Sequence, residues 1–137
     1  MIIIDTNILI RYFTADDQKV HSKLVEFFKL VTSNKQEIFV SDIVITETIF
    51  VLQSSIYNID KKSATIMLAA LIKLNSVKTE SNKNVLLFGL EIYKKEKIHL
   101  IDCMIIAKGI LDELEIFTFD KKMLKVIDRL DGKICNF

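Results

Sequence analysis

Four acidic residues stand in apolar company: Asp5 after Ile2-Ile3-Ile4, Glu47 between Ile45 and Ile49, Asp102 after Leu100-Ile101, and Asp120 after Phe117-Thr118-Phe119. An ionised carboxylate among apolar side chains needs hydrogen bonds or a counter-charge, or it gives up its charge. Asp5, Asp102 and Asp120 each fall near a strand end or a helix start, where an aspartate commonly serves as a cap worth about 1 kcal/mol. Glu47 lies too far into its helix for that. Its same-face neighbours at three and four residues are Ile43, Val44, Phe50 and Val51, and no lysine or arginine lies within a helical turn. The expectation is a carboxylate on a strongly apolar stripe, answered by a distant cation or a metal ion. The bland alternative is a glutamate reaching solvent at the edge of that stripe.

The ends of the first and fourth strands and two helix faces would supply these carboxylates to one crevice, where α/β sheets collect their chemistry. Like charges held that close need a counter-ion. Hard oxygen donors with no paired His or Cys select Mg²⁺ or Mn²⁺ over zinc. Such ions act on phosphate esters by generating hydroxide, orienting the phosphate and neutralising charge on the attacking and leaving oxygens.

Other candidates carry less. His21 lies on a surface helix, and His99, three residues before Asp102, flanks the crevice at most. Neither has a Ser or Cys partner of the kind a catalytic triad needs. No GxGxxG and no P-loop is present, so nucleotide-cofactor chemistry has no support. Arg11 and the lysines at 94, 95, 97, 121, 122 and 125 are available to phosphates or simply solvate the surface.

The elements that would position these groups follow from pattern. A chain of 137 residues, half of them hydrophobic, is one globular domain, residues 1–137. A net charge of +1 excludes a global basic field, so any nucleic-acid partner must be held by a local patch. With no proline and three glycines, long helices are expected and hairpin-rich folds are not. Cys103 and Cys135 have no metal-ligand spacing and read as buried free thiols of a reducing, cytoplasmic setting. The apolar start lacks a basic flank and meets Asp5 at once, unlike a signal peptide, and no apolar run is long enough to span a bilayer.

Met1 to Ile4 reads as a short strand buried on both faces, followed by a helical turn or two through Phe13 capped by Thr6 or Asn7. A second helix with Asp17 in its first turn carries Val20, Leu24, Phe27, Phe28 and Val31 at helical spacing. Ile38–Val40 is a strand ending in a Ser41-Asp42 cap, and a helix runs from Ile43 to about Ser55. Asp60 caps a fourth helix, Val77 marks a third strand, and Ser81 or Asn82 caps a helix ending in Lys94-Lys95-Glu96-Lys97. Leu100 to Leu111 is helical, Ile116–Phe119 is a strand, a short helix runs from Asp120 to about Leu130, and 133–136 is a last strand. Strands alternating with helices predict a parallel sheet covered on both sides, a three-layer α/β/α fold.

These residues resemble the successive motifs of a PIN domain. The run Ile-Ile-Asp-Thr-Asn-Ile-Leu-Ile-Arg at the start, then Ile-Thr-Glu-Thr-Ile-Phe-Val-Leu, Leu-Ile-Asp-Cys-Met-Ile-Ile-Ala and Thr-Phe-Asp-Lys-Lys-Met, carry the likeness along the whole chain. More narrowly they look like VapC-type toxins of prokaryotic toxin–antitoxin pairs. The resemblance implies about five parallel strands in order 3-2-1-4-5 and a ribonuclease dependent on Mg²⁺ or Mn²⁺. It places Asp5, Glu47, Asp102 and Asp120 as the acidic quartet, with Thr6, Asn7 and Thr118 as residues that support it or touch the phosphate. It implies a homodimer silenced by a cognate antitoxin. Cys103 and Met104 stand where a small residue is usual, which touches packing more than ligation. The competing readings are a metal-dependent nuclease for DNA, a PIN-like module that binds RNA or protein without cleavage, and a phospho-acceptor domain of receiver type. The last fits poorly, because its acceptor belongs on a middle strand.

Overall fold

The computed structural model describes residues 1–136, which divide into two compact units meeting at Ser81 and Asn82. In the first unit the elements are β1 (Ile2–Ile3), α1 (Thr6–Thr14), α2 (Gln18–Thr32), β2 (Ile38–Val40), α3 (Asp42–Leu52), α4 (Lys61–Ile72) and β3 (Val77–Thr79). In the second they are α5 (Lys83–Lys95), α6 (Leu100–Leu111), β4 (Glu115–Ile116), α7 (Lys121–Arg129) and β5 (Lys133–Ile134). All pairings are parallel, as the alternation of strand and helix predicts.

The first unit holds a sheet of order β1-β2-β3, with Ile2 opposite Ile38 and Ile38 opposite Val77. The second holds the pair β4-β5, with Ile116 opposite Ile134. Of the expected order 3-2-1-4-5, the stretches 3-2-1 and 4-5 are present as separate sheets, and the described residues show no pairing of β1 with β4. β1 departs from expectation. Ile2 and Ile3 are exposed, and of the three isoleucines Ile4 alone is buried. An apolar run shows that a strand can be buried without showing which of its faces is covered.

Helix starts follow local rules. Asp5, not Thr6 or Asn7, caps α1, because its extended backbone lets the carboxylate meet the amide of Ile8 at 3.1 Å. Asp17 is the cap of α2, accepting from the amides of Lys19 and Val20. Ser41, Asp60, Asn82 and Asp120 cap α3, α4, α5 and α7. α3 ends at Leu52, three residues before the expected stop near Ser55, and β4 stops at Ile116, before Phe117 and Phe119.

In the first unit the core is built from Leu9, Phe28, Val31, Ile38, Ile45, Ile49, Leu68 and Ile72, all essentially without solvent contact. Phe28 stacks on Tyr12 with centroids 4.0 Å apart and meets Phe27 edge-on. The buried Ser76 hydroxyl donates to the carbonyl of Val31 at 2.5 Å, tying the approach to β3 to the end of α2. The Tyr57 hydroxyl donates to Asp16, which holds its pKa above the ordinary value. In the second unit α5 and α6 pack so closely that a Cβ at Gly89 would overlap the Met104 side chain and lie 3.3 Å from its Cα. Cys103 is buried there, whereas Cys135 is half-buried rather than fully buried as expected; neither is in a disulfide.

Two stability predictions follow from these details. Among the described residues, the hydroxyl of Thr48 is the one buried side-chain polar atom without a hydrogen-bond partner. Thr48→Val keeps the shape and removes an unmet polar group, so chemical denaturation should show a gain of about 1 kcal/mol; a loss would mean that the hydroxyl has a partner. Asp60 accepts from the amide and hydroxyl of Ser63, which hold its carboxyl below its ordinary value of 3.8. The folded value is depressed, so the stabilisation is present above 3.8 and fades as pH falls through the folded value. The stability advantage of wild type over Asp60→Asn should shrink between about pH 5 and pH 2. An advantage constant with pH would rule this origin out.

Candidate active site

In the first unit, β1 ends where the chain turns into α1, and Asp5 occupies the turn. One carboxylate oxygen, Oδ1, is used as the helix cap; the other has no protein partner among the described residues. The next residue, Thr6, is 8% exposed and sits at the first position of α1. Its hydroxyl donates to Glu47 Oε2 at 3.0 Å across 41 residues of sequence. Asp5 and Glu47 are thus tied to adjacent residues of one turn. Asn7 is exposed beside them. A cleft of about 530 Å³ opens against Asp5, walled by Ile2, Ile3, Ile8 and Phe27, with Lys23 at its rim.

Glu47 corrects an expectation. It is exposed, and so are Ile43 and Phe50 on the same stripe. α3 buries Ile45, Thr48, Ile49 and Leu52 instead. The helix is apolar almost all round, so periodicity could not tell which face meets the core. Glu47 therefore needs no buried counter-charge; it needs a holder, and Thr6 supplies one.

α3 itself is fixed at its start. The Ser41 hydroxyl accepts from the amide of Val44, and the amide of Asp42 donates to Glu80 Oε2 at 3.1 Å. Asp42 in turn accepts from both the amide and the hydroxyl of Ser81. Nothing in the spacing of residues 42 and 81 announced this clamp; it exists because β2 and β3 are parallel neighbours whose ends coincide, Val40 opposite Thr79.

In the second unit, Asp102 lies in the first turn of α6, half-buried, and neither of its oxygens has a protein partner among the described residues. His99 precedes that helix, exposed and without a side-chain capping bond. Asp120 caps α7 with Oδ1 alone, accepting from the amides of Lys122 at 2.8 Å and Met123 at 3.0 Å. The Thr118 hydroxyl accepts from the Asp120 amide at 3.1 Å and so fixes the turn that presents the carboxylate.

The second oxygens separate these aspartates from others at helix starts. Asp17 Oδ2 faces Arg11 at 3.9 Å, Asp60 Oδ2 takes the Ser63 hydroxyl, and Asp42 Oδ2 takes the Ser81 hydroxyl. Asp5 and Asp120 keep theirs unengaged, and Asp102 keeps both. Hard, unengaged carboxylate oxygens are the donor type that suits Mg²⁺ or Mn²⁺. Among the described residues, no three His, Cys, Asp or Glu side chains cluster as an ion would require, so the structure supplies donor chemistry and not a formed shell. His21 stays structural: its ring stacks on Tyr12, with Nδ1 3.3 Å from the carbonyl of Arg11.

Comparison with known families gives one match, to the PIN domain, over residues 2–130. No match is found among curated proteins. No helix of the described residues is long and apolar enough to cross a membrane. PIN domains are generally nucleases that use divalent metals on nucleic acids. With nearly the whole chain matched, from the strand that delivers Asp5 to the helix that Asp120 caps, this protein belongs to the PIN domain family.

Proposed function

We propose that this chain is a Mg²⁺- or Mn²⁺-dependent endoribonuclease of VapC type, the toxin of a toxin–antitoxin pair, acting as a single domain over residues 1–137 in the cytoplasm. Its partners are an RNA substrate, a cognate antitoxin and a second copy in a homodimer. The observation that carries the reading is the unengaged oxygen on each of Asp5, Asp102 and Asp120, together with Glu47 held by Thr6, in a chain of a nuclease family.

In this reading Asp5 and Asp102 are the principal metal ligands, and Glu47 and Asp120 complete the shell or orient the attacking water. A bound divalent ion supplies hydroxide at neutral pH and neutralises charge on the phosphate. The protein's part is positioning. The cap bond to Ile8 fixes the Asp5 carboxylate, Thr6 fixes Glu47, and Thr118 fixes the turn at Asp120. In the same reading Asn7, exposed on the first turn of α1, donates to a phosphate oxygen.

Incubating total RNA and single-stranded DNA with the purified protein, in Mg²⁺, Mn²⁺ or EDTA, tests this. Asp5→Asn, Glu47→Gln, Asp102→Asn and Asp120→Asn should each lower metal-dependent RNA cleavage by about 100-fold or more. Equal cleavage by all four variants would reject the quartet. Preference for DNA would transfer the activity to the other polymer, and RNA binding without cutting would favour a binding module. Thr6→Val is the subtler probe. It should raise the Mg²⁺ concentration needed for half-maximal rate about 10- to 100-fold, while the fold persists by circular dichroism. An unchanged Mg²⁺ requirement would reduce the Thr6–Glu47 bond to a packing detail.

A further inference from the structure

We propose that Phe119, backed by Phe117, is the base-stacking platform that holds the RNA strand beside Asp120. The inference rests on the ribonuclease reading and adds to it a residue that touches the substrate. Phe119 is 86% exposed and Phe117 57%, although both lie within the apolar run Ile116–Phe119. The extended chain sends alternate side chains to opposite sides. Ile116 is buried and Thr118 half-buried on one side, with the Thr118 hydroxyl holding the Asp120 amide; the two rings stand on the other. They meet edge to face, centroids 5.3 Å apart at 67°, so Phe117 restricts the rotation of Phe119 and leaves its ring open.

The charge next to the rings selects the occupant. Lys121, Lys122 and Lys125 follow at once on α7, all exposed, and none enters an ion pair among the described residues. Lys121 and Lys125, one turn apart, lie on the side of the helix away from its buried residues Met123, Val126 and Ile127, and Lys122 flanks them. Arg129, at the far end of the same helix, is instead engaged by both oxygens of Glu96 at 2.8 and 2.9 Å. An exposed aromatic with unpaired cations beside it is the combination that takes a single strand: the base stacks on the ring, and the lysines meet the flanking phosphates. A duplex keeps its bases stacked on one another and offers the ring nothing.

The test is fluorescence anisotropy with a labelled oligouridylate of about ten nucleotides, in EDTA so that binding is read without cleavage. Phe119→Ala and Phe119→Leu should weaken binding roughly 5- to 100-fold, Phe119→Trp should restore it, and a blunt-ended, fully paired RNA duplex of two strands should bind all four proteins equally. In cleavage assays the Ala variant should lose mainly through KM. Wild-type affinity in Phe119→Ala, or full affinity in Phe119→Leu, would overturn the platform. So would a wild-type protein that does not bind the oligomer. If Phe119→Ala instead changes the oligomeric state by light scattering while RNA affinity holds, the rings belong to a protein interface and the proposal falls. Binding that depends on Phe119 in a protein that cuts nothing would keep the platform and reject the nuclease; cutting indifferent to Phe119 would do the reverse.

Discussion

Everything proposed for this protein depends on how a carboxylate divides its two oxygens at a strand-to-helix turn. A cap needs one acceptor for the orphan amides of the first helical turn. At Asp5 and Asp120, Oδ1 does that work and leaves the other oxygen with a fixed direction and no partner among the described residues. Capping and ligation are then not rival accounts of the same residue. The cap removes most of the side chain's rotational freedom, so an incoming ion has less ordering to impose. Where the protein spends both oxygens, as at Asp42 and Asp60, the aspartate is structural.

The same economy governs α3. An apolar helix with four buried side chains on one face leaves Ile43, Glu47 and Phe50 on another. Glu47 is exposed there, so its usefulness rests on direction. Direction comes from two places: the clamp of Asp42 on Ser81 and Glu80 sets the helix start, and Thr6 sets the carboxylate. Both are hydrogen bonds made across about forty residues of sequence, and both exist because parallel strands align their ends.

That distinction explains what the sequence made legible. Local signals were reliable. Asp60 and Asn82 as caps, the strand Ile38–Val40, and the helix Leu100–Leu111 follow from short-range rules and are found where those rules put them. The likeness to the PIN domain also rested on short local runs, and the family match spans residues 2–130. Burial was less legible. Ile2 and Ile3 read as core and are exposed, and Glu47 read as an acid needing a counter-charge and meets solvent. Both errors have one cause: an apolar run fixes how much surface an element can bury, whereas the neighbours that cover it come from distant sequence. The rings of Phe117 and Phe119 escaped notice for the same reason, since as part of a strand they looked like core; only their spacing of two, alternating with Thr118, hinted at a separate side.

The Asp5-Thr6-Asn7 turn shows how three short polar residues can act as one unit of chemistry. Asp5 must be extended to cap, Thr6 must be the first helical residue, and that step alone points the Thr6 hydroxyl inward while the Asp5 carboxylate stays exposed. A β-branched hydroxyl is well suited to the place, because its methyl fills the 8%-exposed site while its oxygen is aimed at Glu47. Serine would lose the packing, and valine would lose the bond. The turn therefore couples two carboxylates that sequence separates by 42 positions, and it does so with one backbone conformation and one hydrogen bond. Any change that shifts the start of α1 moves Asp5 and the holder of Glu47 together, so defects at this turn should be strongly non-additive with substitutions at Glu47.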